Sequence, residues 1–228
     1  MAKQNINSKE GFTIIEVVLV LAIAGLIFLM VFVALPALQR SQRDTQRRND
    51  MSRVDTSLVQ YQTNHSNLSV NLPDVGATAV SWTAPKDNTF KVGSSNGCGS
   101  NIACQFIRDY MNTGSSENDG KANNFEDPDG TPYSLVITPN WDLKTPTAVT
   151  YTPAAGSAST AKAALTGDTT NGFTITNVEG GGNAYDAHVI FIVPGGRCSG
   201  DKVLKSTKRH FAILYRLEGA GTYCIDDQ

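Results

Sequence analysis

Few residues in this chain have both the type and the spacing that chemistry requires. The three histidines, His65, His188 and His210, share no metal-ligand spacing, and no G-x-S-x-G, H-E-x-x-H or paired-carboxylate arrangement stands out. No enzymatic activity is expected. Chemistry of other kinds is open to three groups. Gly11 precedes the bulky Phe12 at the head of a long apolar run, and Glu16 is the one carboxylate at the start of that run. A cut after Gly11 would create a new amino group on Phe12, four residues from Glu16. The four cysteines, Cys98, Cys104, Cys198 and Cys224, all lie in the polar part of the chain. Glu126, Asp127 and Asp129 are hard oxygen ligands that suit calcium, but the EF-hand pattern fails because Thr138 stands where its bidentate glutamate belongs. That segment is expected to be a structural turn, with calcium as the alternative and no other cofactor.

The element that positions Phe12 and Glu16 is the apolar run itself. Residues 17–38 carry no formal charge, and their Val, Leu, Ile, Phe and Met side chains would cover every side of a helix. About 20 apolar residues in a helix span a bilayer core of roughly 30 Å. A helix apolar all round belongs in a membrane or at the centre of a large protein. The basic start, Lys3 and Lys9, fits a secretory signal, but the small residue precedes the apolar stretch instead of following it. Cutting after Gly11 would leave the helix on the mature chain. An ionisable group at the centre of a membrane helix costs about 2.5–3.5 kcal/mol on insertion scales, and less near the end. The N-terminal end of a helix also favours negative charge. Glu16 is then either a tolerated interfacial residue or a carboxylate that pairs with the amine of a neighbouring chain.

The remaining sequence differs in kind. The whole chain is 40% hydrophobic with a net charge of −2 and a pI of 5.9, which gives no general drive toward nucleic acid or anionic lipid. Gly, Ser, Thr, Asn and Asp dominate downstream, as in a turn-rich extracellular domain. Four cysteines point to two disulfides in an oxidising compartment. Three pairings are open, and chain order favours Cys98–Cys104 with Cys198–Cys224.

"GFTIIE", with Gly11, Phe12 and Glu16 ahead of an apolar helix, resembles the class III signal of type IV prepilins, the subunits of type IV pili and their pseudopilin relatives. The resemblance implies cleavage after Gly11 by a prepilin peptidase, methylation of the Phe12 amine, and assembly through Glu16 and the Phe12 of an adjacent subunit. It divides the chain into a leader (1–11), a transmembrane and filament-core helix (12–38), an amphipathic helix (39–65) and a globular head (66–228). The implied fold is α+β, a long N-terminal helix packed on an antiparallel β-sheet head. Its C-terminal loop would be closed by Cys198 and Cys224. The implied function is that of a structural subunit, polymerising for surface adhesion, twitching motility or DNA uptake. The alternatives are a pseudopilin of a type II secretion or competence machine, and a membrane-tethered binding protein that does not polymerise. Expected partners are other copies of the chain, the peptidase, the pilus assembly platform and the cytoplasmic membrane before assembly. DNA or a host surface would be the target after assembly, when the chain stands in an extracellular filament.

Several local expectations complete this picture. Family members commonly place their helix proline about three residues earlier than Pro36, so a kink or melted segment is expected near Leu35 and Pro36. One helix is expected from Phe12 to about His65, with Val54, Leu58 and Tyr61 on its packed face. Arg40, Arg43, Arg47, Arg48 and Arg53 outnumber Lys3 and Lys9, against the positive-inside rule. The cysteines and the resemblance nevertheless place the head outside. These arginines are read as a solvated face, as ion pairs between subunits, or as a contact to lipid or DNA. A short helix is expected over residues 101–111, with Ile102, Phe106, Ile107 and Tyr110 on one face. Asp127, Pro128, Asp129 and Gly130 form a turn before a strand at 134–138. Exposed strands are expected around 148–152 and 173–176, and strongly β-prone ones at 187–193 and 211–217, with a third strand at 222–225. Lys202, Lys205, Lys208 and Arg209 form a basic patch in the terminal loop.

Overall fold

A computed structural model describes residues 11–64, 80–83, 102–111, 125–131, 133–139, 141, 149–151, 162–178, 188–219 and 221–227. It divides into two units, Met1–Gln42 and Arg43–Gln228. Helix α1, Ile14–Asn64, runs through the boundary without interruption, Pro36 included. The melted segment expected there is absent, because proline removes one ladder hydrogen bond and the flanking turns carry the helix past it.

In the first unit the helix is one apolar surface. Its most hydrophobic window has a mean hydropathy of 3.2 and none of it is buried, so it is long and apolar enough to cross a membrane. Exposure runs from Phe12 and Ile14 to Leu35 and Leu38 on all sides. Val, Ile and Phe are indifferent helix formers in water. The helix needs an apolar host, since so large an exposed apolar surface is a contact surface by nature.

The second unit has three layers. The C-terminal half of α1 is followed by β1 (Val80–Thr83), then by α2 (Ile102–Phe106), which continues as a π-helical turn, Ile107–Met111. Next come β2 (Ser134–Ile137), β3 (Val149–Tyr151), β4 (Ala163–Asp168), β5 (Gly172–Asn177), β6 (Val189–Pro194), β7 (Gly196–Ser199), β8 (Lys202–Lys205), β9 (Phe211–Leu217) and β10 (Gly221–Asp226). The first sheet has the order β1-β2-β6-β9-β10, and the second β3-β4-β5-β8-β7. Pairing is antiparallel throughout except between β2 and β6, where Leu135 stands opposite Ile190 in a parallel register.

The central strands of the first sheet, β2, β6 and β9, are buried on both faces, which explains why β6 and β9 read as nearly continuous apolar runs rather than alternating ones. One face, with Leu135, Ile137, Ile190, Ile192, Ile213 and Tyr215, packs on Met51, Val54 and Leu58 of α1 and on Phe106 and Ile107. The other face, with Val136, Phe191, Val193 and Leu214, packs on Leu165, Phe173, Ile175 and Val203 of the second sheet. Trp141 closes this second core, edge-on to Phe173 at 5.3 Å between ring centres. The strands near 148–152 and 173–176 are therefore not an exposed outer layer. Tyr151, Phe173 and Ile175 are buried, and their alternation with Thr reads as the inner face of a sheet.

Candidate assembly site and a buried ion-pair network

The first group of candidate residues sits at the start of α1. Gly11 and Phe12 precede the helix, and Phe12 is 90% exposed. The Thr13 backbone N–H and hydroxyl both donate to Glu16 Oε2 at 2.8 Å. Glu16 thus reaches back over the first turn, as the acidic member of a capping box does, and satisfies a backbone N–H that the helix leaves open. Among the described residues, Glu16 Oε1 takes no hydrogen bond. The T-x-x-E spacing of Thr13 and Glu16 is the sequence signature of this cap, so Glu16 is not the lone carboxylate that its apolar surroundings suggested.

The second group lies wholly within the second unit. Asp44, Arg47, Met51, Val54 and Leu58 recur at alternating intervals of three and four residues, so they share one face of α1, and all five are buried. Two of them are charged. The Arg47 side chain is 2% exposed and forks onto Asp127, with Nε donating to Oδ2 at 2.7 Å and Nη2 to Oδ1 at 2.8 Å. Nη1 donates to Asp44 Oδ1 at 3.0 Å and to Glu218 Oε2 at 3.3 Å. Asp44 accepts the backbone N–H groups of Glu218 and Gly219, both at 3.0 Å, where the chain turns from β9 to β10. Arg43 forks onto Glu218 at 2.9 and 2.7 Å. The Tyr215 hydroxyl donates to Asp127 Oδ2 at 2.9 Å, and that of Tyr133 to Asp50 at 3.0 Å.

These contacts correct the solvated-face reading for Arg43 and Arg47, whereas Arg40 and Arg53 are exposed. Arg43 and Arg47 belong to ion pairs within the chain, and Arg48 lies 5.7 Å from the centre of the Tyr223 ring. The register of Arg47 with Met51 and Leu58 carried the signal, but charge type suggested a solvated face. Burial opposes the Arg47 charge, and the hydrogen bonds and charge of Asp127 outweigh it, so the guanidinium titrates above its ordinary range. Burial likewise opposes ionisation of Asp127, yet its contacts with His188 and Arg47 hold its carboxyl well below the usual range. Glu218 is lowered by the hydrogen bonds from Arg43. Tyr215 and Tyr133 are raised, chiefly by burial.

The expected turn is present. Gly130 N–H donates to the Asp127 carbonyl at 2.8 Å, with Gly130 at φ 83, and Asp127 N–H donates to the Thr131 carbonyl at 2.8 Å. The oxygen cluster suggested by the sequence is regrouped. Asp127 and Asp129 stand with His188, the three offering ligand atoms within 4.8 Å of one another, and Glu126 is not among them. His188 was not detectable from spacing, because β6 brings it in from 61 residues beyond Asp127 by pairing parallel to β2.

Cys198 and Cys224 form a disulfide with a Cα separation of 5.8 Å. It joins β7 of one sheet to β10 of the other, and Asp226 accepts the Cys198 N–H beside it. The Cys98–Cys104 pairing stays an expectation, because Cys98 lies outside the described residues. Of the basic patch, Lys205, Lys208 and Arg209 are exposed and Lys202 is half-buried.

Comparison with protein families, with curated proteins and with solved structures gives no significant match. The long N-terminal apolar helix, the β-sheet head and the disulfide are consistent with a type IV pilin.

Proposed function

We propose that the chain is a type IV pilin, the structural subunit of a helical surface filament. The observation that carries this reading is the fully exposed apolar helix with one carboxylate, Glu16, near its start. Such a surface has two hosts, lipid and other helices of its own kind. The chain would rest in the cytoplasmic membrane until a prepilin peptidase cuts after Gly11. The assembly platform would then move the helix from lipid into a bundle of copies. Little apolar area changes environment in that exchange, so helix packing alone sets the register weakly. Glu16 supplies what packing lacks. Its cap uses Oε2, and Oε1 remains for the methylated Phe12 amine of a neighbour. The pair would form in an environment screened from water, where it favours one axial register over its rivals.

The test compares surface filaments with membrane-fraction protein in cells expressing Glu16→Ala. The helix becomes more apolar, so insertion should be unharmed. Breaking a buried pair costs about 3–5 kcal/mol per site. Filaments should therefore be scarce while the membrane pool is normal. Normal filament yield would leave Glu16 as a helix cap only.

A further inference from the structure

We propose that His188 and Asp129 form an open site for a divalent transition-metal ion of the zinc class, with Asp127 as the outer partner that orients the imidazole. His188 is 5% exposed, and its Nδ1 is buried with no hydrogen-bond partner within range. It faces Asp127 Oδ2 at 3.5 Å. The other nitrogen, Nε2, stands 3.2 Å from Asp129 Oδ2. Two ligand atoms bound at about 2.0–2.1 Å and a roughly tetrahedral angle stand about 3.3 Å apart. The Nε2–Asp129 gap therefore has the width for one such ion.

The two carboxylates differ in availability. Asp127 Oδ1 accepts from Arg47 and from the Asp129 N–H, and Oδ2 accepts from Arg47 and Tyr215. That carboxylate is filled, so it suits the outer role, accepting Nδ1–H when the ring tips toward it. A metal-bound imidazole commonly donates its second nitrogen to a carboxylate in this way. Asp129 is 41% exposed; its Oδ1 accepts the Thr131 N–H at 2.8 Å, and its Oδ2 meets His188 Nε2 alone among the described residues. Water can fill the remaining positions from that side.

Charge favours a cation as well. Asp44, Asp127, Asp129 and Glu218 set four carboxylates against the two guanidiniums of Arg43 and Arg47, an excess of two negative charges while His188 is neutral. The imidazole makes a borderline transition ion a better fit than calcium, which prefers six to eight oxygens.

The experiment uses the full chain in detergent micelles, stripped with a chelator and titrated calorimetrically with zinc chloride and, separately, calcium chloride. One saturable zinc ion per chain is expected, with calcium weaker. Asp129→Asn changes a partly exposed side chain and should leave the fold intact by circular dichroism. It should weaken zinc binding at least about tenfold, the smaller loss seen when even an outer partner is removed. Cobalt substitution should give visible absorption bands in the wild type that Asp129→Asn loses. His188→Gln should abolish binding. If that variant fails to fold, Asp129→Asn still decides. No saturable zinc, calcium tighter than zinc, or unchanged zinc binding in Asp129→Asn, as from His65 or His210, would overturn the assignment.

Discussion

Replacing Arg47 by Met should be among the most damaging single changes in the second unit. Met fills much of the aliphatic volume of Arg47, so packing against Met51 and its neighbours is largely kept. What is lost is the fork onto Asp127 and the bonds to Asp44 and Glu218. Asp127, whose side chain is fully buried, then keeps only Tyr215, the Asp129 N–H and the more distant His188 as partners. Removing one member of a buried pair costs about 3–5 kcal/mol, most of it from the charge left behind. For a unit of this size each kcal/mol moves the melting temperature by about 2–4 °C, so a fall of about 6–20 °C is expected. The assay is thermal and urea unfolding of the full chain in detergent micelles, followed by tryptophan emission, since Trp141 is buried in the second core. Arg47→Lys should recover only part of the loss, because an ammonium cannot make the planar fork. The pH profile supplies an independent check. Asp127 is depressed in the fold, so its contribution is complete above its unfolded value near 3.9 and is lost as pH falls below it. Wild-type stability should drop between about pH 5 and pH 2, and the Arg47→Met curve should be shallower there. A loss under about 1 kcal/mol, or parallel pH curves, would refute the view that this pair is buried and coupled.

Other expectations follow from separate parts of the molecule. Changing both Cys198 and Cys224 to Ser should lower stability by about 2–5 kcal/mol, because the 26-residue separation alone implies about 3.5 kcal/mol of chain entropy; denaturant titration reads this. Gly167→Ala should destabilise by more than about 1 kcal/mol, since a Cβ there would overlap the Gly172 carbonyl oxygen and Gly167 sits at φ 152; a normal melting temperature would show that the β4–β5 turn adapts. Non-reducing peptide mapping should link Cys98 to Cys104, and a peptide joining Cys98 to Cys224 would refute that pairing. Co-expression of Glu16→Ala with wild type should place sparse mutant subunits within filaments, detectable by mass spectrometry of sheared material.

Much of the helix was legible because its signals are local. The apolar run, the 3.6-residue spacing of Val54, Leu58 and Tyr61, and the lack of Pro or Gly from Ala37 to Leu72 are all contained in neighbouring residues. Strands β6 and β9 announced themselves by their β-prone composition. The second sheet did not, because strands of Ala, Gly and Thr such as β4 and β5 look like surface strands until a second layer covers their apolar side. The ion-pair network was illegible for a different reason. Its partners lie 80 and 171 residues from Arg47, and charge at a core register position makes sense only once those partners arrive. His188 joined Asp127 and Asp129 through a parallel strand pair, a connection with no local sequence signature.

The central claim, that the apolar helix is a polymerisation surface cut free after Gly11, is tested most directly on sheared surface material. Electron microscopy of that fraction, with intact-mass measurement of its main subunit, reads assembly and processing together. The expected result is thin filaments whose subunit begins at a methylated Phe12 and carries the disulfide masses. Filaments lacking this chain, or a surface form that retains residues 1–11 or begins after Pro36, would contradict it.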